Sequence, residues 1–334
     1  MGIKIGVNGL GRIGRMALKI AANHPKLEVV AVNDPQDMAV MAHLLNYDSI
    51  HGRPDCTIAM ADGALEINGV SAGVMSEKNP EALDWGKYGT QIVLECSGFF
   101  KDRVGASKHL MAGADKVIIS APAKDPDVTL VMGVNSNQYD PKSHHIISNA
   151  SCTTNCLAPL AKVLHENFGI RHGLMTTVHS YTGDQRLMDS PHKDLRRARA
   201  AGLSMIPTTT GAAQAVALVL PELSGKMSGL AIRVPTPNVS IVDFVAHVEK
   251  EGLTASDINA AFQEAADGAL AGILGCCDVP LVSSDFNGSP LSSIIDKPST
   301  SVLGSLVKTL SWYDNETGYS SRMIDMACMV GELL

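Results

Sequence analysis

The segment Ser148-Asn149-Ala150-Ser151-Cys152-Thr153-Thr154-Asn155-Cys156 carries the strongest candidate nucleophile of the chain. It leaves a strand pattern and enters a predicted helix that runs to about Phe168 and stops at Gly169. A thiol in the first turn of a helix meets unpaired N–H groups and the positive end of the dipole, and both lower its pKa. Cys152 is surrounded by small polar residues, unlike a buried inert thiol. Cys156, one turn further in, fits the inert pattern. Pro159 inside the span implies a kink or a shift in the helix start. A nucleophilic thiol needs a base, usually His. With eleven His in the chain, spacing alone chooses none of them. His179 ends an alternating strand, Gly173 to Val178, and opens the polar loop Ser180-Tyr181-Thr182-Gly183-Asp184, a good setting for a site. A purely structural His would fit there as well.

A second set of residues suits an anion. Gly9-Leu10-Gly11-Arg12-Ile13-Gly14 follows a short apolar run, Ile3 to Val7, and precedes a helical pattern reaching roughly Ala22. A further strand, Leu27 to Val32, ends at Asn33-Asp34. This is the G-x-G-x-x-G turn in its required strand, turn, helix, strand setting. The glycines let the backbone turn tightly and approach a pyrophosphate, while the helix N-terminus offers free N–H groups. Asp34 lies twenty residues beyond Gly14, where its carboxylate can accept a bond from a ribose 2′-hydroxyl and repel a 2′-phosphate. The expected cofactor is therefore NAD rather than NADP.

The elements that must hold these groups are legible in outline. Strands are expected at Gln91 to Leu94, Lys116 to Ile119 and Ile146 to Ser148. The first two end in Cys96-Ser97-Gly98 and Ser120-Ala121-Pro122, small residues suited to the carboxyl edge of an open parallel sheet. From about Gly173 the strands lengthen and alternate, including Leu230 to Val234 and Val239 to Val248, which predicts a mainly antiparallel sheet with helices on one face. Ala255 to Ala271 reads as helix without chemistry, and Ser321 to Leu334 as an amphipathic helix. The expected architecture is α/β: a Rossmann-type parallel sheet domain plus a mixed, mainly antiparallel α+β domain.

Bulk properties narrow the function class. A chain of 334 residues is about right for two domains. Its net charge of −7 argues against a nucleic-acid footprint, which needs a concentrated positive field. Seven cysteines at irregular positions do not form a disulfide framework, and Cys152 with Cys156 lacks a second Cys/His pair at zinc-ligand spacing. No metal site is expected. The start of the chain runs straight into a strand pattern without a signal-peptide layout, and no apolar run is long enough for a bilayer. A cytoplasmic protein with reduced thiols is the expectation.

The blocks around these groups resemble the phosphorylating glyceraldehyde-3-phosphate dehydrogenases. Ala150 to Pro159 is similar to that family's active-site signature. The likeness continues through Asn8 to Arg15, Thr176 to His179, Pro207 to Ala213, Arg233 to Ser240 and Ser311 to Ser320. These blocks stand in family order and span essentially the whole chain.

The resemblance implies roles that spacing does not supply. Cys152 is then the nucleophile and His179 its base. Arg233 and Thr182 bind the C3 phosphate of glyceraldehyde 3-phosphate, while Ser151, Thr153, Arg197, Thr210 and Gly211 surround the attacking inorganic phosphate and the reacting centre. For NAD, the turn Gly9, Gly11, Arg12, Ile13 and Gly14 holds the pyrophosphate and Asp34 the adenosine ribose. Lys78, Ser97, Gly98 and Ser120 line the cofactor, and Asn315 holds the nicotinamide carboxamide. Tyr313 and Tyr319 are assigned packing only. Residues 1–150 form the NAD-binding domain, with a helix at about 317–334 packing back on it, and 151–316 form the catalytic domain. A homotetramer is implied, with the loop from Tyr181 to Met205 reaching a neighbour's cofactor. Pro35 and Ser190 depart from the Leu common at both positions in NAD-using members, which leaves room for some NADP use. The competing readings are an erythrose-4-phosphate dehydrogenase and a non-catalytic NAD- or RNA-binding partner.

Overall fold

The computed structural model describes residues 2–334. The chain divides into two compact units, one of residues 2–130, Ser136–Ser151 and Ser320–Leu334, the other of Val131–Asn135 and Cys152–Tyr319.

The first unit is built on nine strands: β1 (Ile3–Asn8), β2 (Leu27–Asn33), β3 (Ile58–Ala61), β4 (Ala64–Ile67), β5 (Val70–Met75), β6 (Ile92–Glu95), β7 (Lys116–Ile119), β8 (Val128–Thr129) and β9 (Ile146–Ser148). They lie in the order β3-β4-β5-β2-β1-β6-β7-β9-β8. From β5 to β8 every pairing is parallel, and β3 and β4 add an antiparallel edge. A parallel sheet is covered on both faces, so its strands must be apolar throughout. Ile5, Val7, Val32, Ile92, Val93, Leu94, Ile118 and Ile147 are all fully buried. Helix α1 (Arg12–Ala22) lays Met16, Ala17, Leu18 and Ala21 inward, and α2 (Met38–Asn46) and α3 (Arg103–Met111) begin at the capping carboxylates of Asp37 and Asp102. Such caps contribute about 1 kcal/mol each by satisfying first-turn N–H groups.

The second unit opens with α4 (Cys152–Phe168), followed by β10 (Ile170–Ser180), β11 (Ile206–Thr209), α5 (Ala212–Val219), β12 (Met227–Val234) and β13 (Ser240–Val248). Then come α6 (Ala255–Asp267), β14 (Leu274–Cys277), β15 (Ser293–Asp296), β16 (Ser301–Leu303), β17 (Leu306–Tyr313) and α7 (Thr317–Gly331), most of which groups with the first unit. The strands form a sheet of order β11-β12-β10-β13-β17-β15-β14, with β16 on β17. Only β10–β12 and β14–β15 are parallel, so the sheet is mixed and mainly antiparallel. Helices α4, α5 and α6 pack together on one face.

Element boundaries differ from the sequence reading where long-range contacts set them. β10 extends beyond the expected Gly173–Val178 because β13 and β12 pair along most of its length. The last helix starts at Thr317, the start the resemblance implies and ahead of the Ser321 read from its amphipathic pattern, because Asp314 Oδ1 accepts the N–H groups of Glu316 and Thr317 at 2.8 Å each. Pro159 does not shift the start of α4, which begins at Cys152 and continues through the proline.

Candidate active site and cofactor cavity

Two sites emerge, one in each unit. In the first, the carboxyl ends of β1, β2 and β6 open into a cavity of about 560 Å³ lined by Gly9, Gly11, Asp34, Lys78, Ser97, Phe99 and their neighbours. The three glycines have separate reasons to be there. Gly9 has φ +91°, and a Cβ on it would fall 2.5 Å from Ser97 Cα. A Cβ on Gly14 would fall 1.9 Å from the Gly9 carbonyl oxygen, so the helix could not sit this close to the turn. A Cβ on Gly11 would meet nothing within 4 Å, so this backbone is open to an approaching anion.

Asp34 is held rigidly at the cavity wall. Its Oδ2 accepts the Leu10 N–H at 2.7 Å and its Oδ1 the Gln36 N–H at 2.9 Å. Both oxygens keep further lone pairs for a hydroxyl donor. A fixed carboxylate flanked by backbone donors suits a ribose diol, and the open glycine turn suits a pyrophosphate, so the residues present fit a dinucleotide. The Arg12 side chain, expected at the pyrophosphate turn, is directed to Asp48 at 2.7 Å, leaving the start of α1 to act through its backbone. Ile13 follows it in that first turn. Gly98, at φ +75°, forms the turn after β6. Ser120 donates its N–H to the Glu95 carbonyl at 2.9 Å.

In the second unit, Cys152 stands at the first position of α4 and His179 at the end of β10, with Cys152 Sγ 3.5 Å from His179 Nε2. The tautomer follows from the neighbours. His179 Nδ1 lies 2.7 Å from the Ser180 carbonyl oxygen, an acceptor only, so Nδ1 carries the proton. Nε2 is then a lone pair facing the thiol. Arg233 Nη1 sits 3.0 Å from both that carbonyl and Nδ1, and donates to the carbonyl. Burial, reinforced by Arg233, pushes His179 down to about 3, so the imidazole rests neutral.

The expectation of a lowered Cys152 pKa does not hold. Burial raises it, and this outweighs the Arg233 charge and the Thr153 hydroxyl and N–H groups, which all act in the opposite direction. With the thiol pushed up and the imidazole pushed down, the Cys152 thiol faces the His179 Nε2 lone pair at 3.5 Å, a geometry suited to proton transfer. Cys156 is buried against Ser293 and Ser311, at 3.8 Å each, and burial drives its thiol up to about 12, which makes it inert.

The surrounding groups hold the pair in place. Tyr313 receives more than a packing role: its hydroxyl lies 2.9 Å from both Thr153 Oγ1 and Thr177 Oγ1, and its ring meets His179 edge-on. Ser240 Oγ accepts the Ser180 N–H at 3.1 Å. Ser240 follows Val239, which holds φ +65°, a conformation a β-branched residue rarely adopts. Asn315 Oδ1 accepts from Ser180 Oγ at 2.7 Å and Ser240 Oγ at 2.9 Å, which turns its amide donors away from these hydroxyls. Tyr313 and Ser240 lie inside the similar sequence blocks, but only their contacts reveal what they do.

The anion-binding candidates divide into two groups. Arg233 is half-buried, its Nη1 lies 3.5 Å from Thr182 Oγ1, and its Nε is buried with no hydrogen-bond partner among the described residues. A buried guanidinium N–H without an acceptor is costly unless a ligand supplies one. Arg197 is more constrained: it pairs with Asp184, donates from Nε to Thr208 Oγ1 at 3.0 Å and lies 3.6 Å from Asp194. Thr210 Oγ1 accepts the Ala212 N–H at 3.2 Å, and Gly211 caps α5 with open space around it. Ser151 immediately precedes Cys152. Among the described residues no cluster of His, Cys, Asp and Glu could hold a metal ion.

Comparison with known proteins matches both units of the chain. Residues 3–103 match the model of the glyceraldehyde 3-phosphate dehydrogenase NAD binding domain, and residues 151–315 match that of the C-terminal domain. The chain is 61% identical to the glyceraldehyde-3-phosphate dehydrogenase of Geobacillus stearothermophilus, covering 99% of this chain and 98% of that one. It is 58% identical to glyceraldehyde-3-phosphate dehydrogenase 1 of Bacillus subtilis (strain 168), with 99% of each covered. The Streptomyces coelicolor glyceraldehyde-3-phosphate dehydrogenase is 53% identical over the full length of both chains. A glycine turn with an acidic strand end, a thiol–imidazole pair and these matches lead to one conclusion: the chain belongs to the glyceraldehyde-3-phosphate dehydrogenase family.

Proposed function

We propose that the chain oxidises and phosphorylates D-glyceraldehyde 3-phosphate to 1,3-bisphosphoglycerate with NAD as oxidant, through acyl transfer on Cys152. The observation that carries this reading is the Cys152 Sγ to His179 Nε2 approach of 3.5 Å, with the imidazole proton fixed on the far nitrogen. As sulfur bonds to the aldehyde carbon, the thiol proton passes by way of His179 Nε2 to the carbonyl oxygen, giving a hemithioacetal. His179 then takes the hydroxyl proton back while the C1–H bond breaks. When bound, the oxidised nicotinamide supplies the acceptor for that hydride. The thioester left on Cys152 keeps the oxidation energy. Inorganic phosphate attacks its carbonyl carbon, the carbon–sulfur bond breaks, and His179 returns its proton to the departing sulfur.

The remaining assignments carry over from the family blocks. Arg233 and Thr182 hold the C3 phosphate, supported by the partnerless buried Nε of Arg233. Ser151, Thr153, Arg197, Thr210 and Gly211 receive the attacking phosphate. Arg suits such work because its planar fork binds two phosphate oxygens. Gly9, Gly11, Arg12, Ile13, Gly14, Asp34, Lys78, Ser97, Gly98 and Ser120 hold the dinucleotide, and Asn315 donates to its carboxamide.

A homotetramer is the proposed assembly. The loop after β10 exposes Leu187, Met188, Leu195, Leu203 and Met205, and the sheet face opposite the helices exposes Leu174 and Leu230. Apolar surface of this kind marks an association face. The cytoplasm is the proposed location, supported by seven free cysteines. Among the described residues no helix is long and apolar enough to cross a membrane.

The test is NADH formation from glyceraldehyde 3-phosphate with phosphate present, omitted, or replaced by arsenate. Turnover should require one of the two anions. Sustained turnover without either, or a preference for erythrose 4-phosphate over glyceraldehyde 3-phosphate, would overturn the reading.

A further inference from the structure

Behind the cofactor cavity lies a buried carboxylate that the reaction does not use. Glu95, the last residue of β6, is 1% exposed, and its two oxygens receive bonds from four directions. Oε1 accepts the Ser97 N–H at 2.8 Å and the Ser97 hydroxyl at 2.5 Å. Oε2 accepts Asn8 Nδ2 at 2.5 Å and stands 2.9 Å from His109 Nε2.

The state of His109 follows from donor inventory alone. Trp85 Nε1 can only donate, and it lies 3.1 Å from His109 Nδ1, so Nδ1 is an acceptor. The proton is therefore on Nε2, where it is given to Glu95. Trp85, His109 and Glu95 form a directed chain of buried hydrogen bonds.

That chain ends on the walls of the cavity. Ser97 packs directly on Gly9, where even a Cβ would come within 2.5 Å of Ser97 Cα. Asn8 precedes Gly9, and its Oδ1 accepts Asn33 Nδ2 at 2.7 Å. Asn33 Oδ1 in turn accepts the Glu77 N–H at 2.8 Å, at the loop that carries Lys78. One carboxylate thus registers the ends of β1, β2 and β6 and the Glu77 loop, all of which line the cavity.

We infer that Glu95, oriented by His109, is a positioning residue for the dinucleotide, fixing the glycine turn and the walls around it before NAD arrives. All four groups that face Glu95 donate. A glutamine of the same shape would point an NH2 at another donor and could not satisfy them. At position 109 a glutamine can accept from Trp85 and donate to Glu95, whereas a leucine can do neither.

The inference rests on the cavity being the NAD site. Its test is calorimetric titration of the full-length, NAD-stripped enzyme with NAD, alongside steady-state kinetics for both substrates. Glu95→Gln and His109→Leu should each raise the NAD dissociation constant and KM by about tenfold. The kcat at saturating NAD and the KM for glyceraldehyde 3-phosphate should stay near wild type, and His109→Gln should restore NAD affinity. Unchanged NAD affinity in a folded Glu95→Gln or His109→Leu enzyme would overturn the inference, as would equal losses in kcat and in the aldehyde KM. If both of those variants fail to fold, His109→Gln decides: wild-type NAD affinity sustains the inference and weakened affinity overturns it. Wild-type enzyme that takes up no NAD would instead sink the cofactor assignment itself.

Discussion

The two units build their sites from different materials. In the first, the groups facing the ligand are mostly backbone: a glycine turn, the start of α1 and strand ends, with the Asp34 carboxylate pinned among them by the Leu10 and Gln36 N–H groups. In the second, the chemistry resides in side chains brought together from far apart, with Cys152, His179, Tyr313 and Asn315 drawn from α4, β10, the end of β17 and the turn after it. The difference teaches that a site made by backbone is encoded locally, while a site made by side chains is encoded by the sheet that collects them. It also separates the kinetic parameters each site controls. Damage to the second should reduce turnover, and damage to the first should change which cofactor is used and how tightly.

The sharpest break of that division lies at the base. His179→Gln should reduce kcat by about 10²–10⁴-fold, the usual contribution of a positioned base, while NAD affinity stays near wild type. Steady-state kinetics with a parallel NAD titration reads both, and a variant that loses NAD binding instead would blur the two sites into one. Next comes the cofactor wall. Asp34→Ala should lower kcat/KM for NAD by about tenfold and leave that for NADP unchanged or higher, with kcat at saturation nearly constant. Pro35 stands in this wall and Ser190 departs from the usual Leu, so some NADP turnover is expected in the wild type, with NAD preferred. A clear wild-type preference for NADP would contradict the role given to Asp34.

The smallest effect concerns stability. Burial alone would raise the Asp48 pKa, but the N–H groups of Ile50 and His51, with Arg12, bring it from 3.8 down to about 2. A depressed carboxylate stabilises the fold above its unfolded pKa, and that contribution is lost as pH falls through its folded value. Asp48→Asn should therefore cost about 2 kcal/mol at neutral pH and flatten the loss of stability between about pH 4 and pH 2. Denaturant melts across that range measure it. A variant with a wild-type acid limb would remove the ion pair from the account.

How much of this was legible in the sequence follows the same division. The glycine turn and Asp34 could be read directly, because the glycine spacing lies within one strand, turn and helix and the acidic residue sits at a fixed distance along the same βαβ unit. The strands at Lys116–Ile119 and Ile146–Ser148 and the helix Cys152–Phe168 fall where their apolar runs and terminating residues put them. The partner of Cys152 could not be read this way. Nothing in spacing distinguishes His179 from ten other histidines until β10 carries it to the start of α4. The state of the thiol is hidden for the same reason: a helix start is visible in sequence, while the desolvation that outweighs it is a property of the packed unit. Tyr313 reads as packing only, and Glu95 carries no reading at all, because an aromatic near the end of a strand, or an acidic residue at the end of one, has no local mark of its partners.

The covalent step is the central claim, and mass spectrometry reaches it most directly. Enzyme mixed with NAD and glyceraldehyde 3-phosphate in the absence of phosphate, quenched in acid and digested, should carry the phosphoglyceryl group on the Cys152 peptide, with Cys156 unmodified in the same fragment. Addition of phosphate before the quench should remove the adduct. An acyl group on any other side chain, or turnover with no adduct at all, would contradict the account.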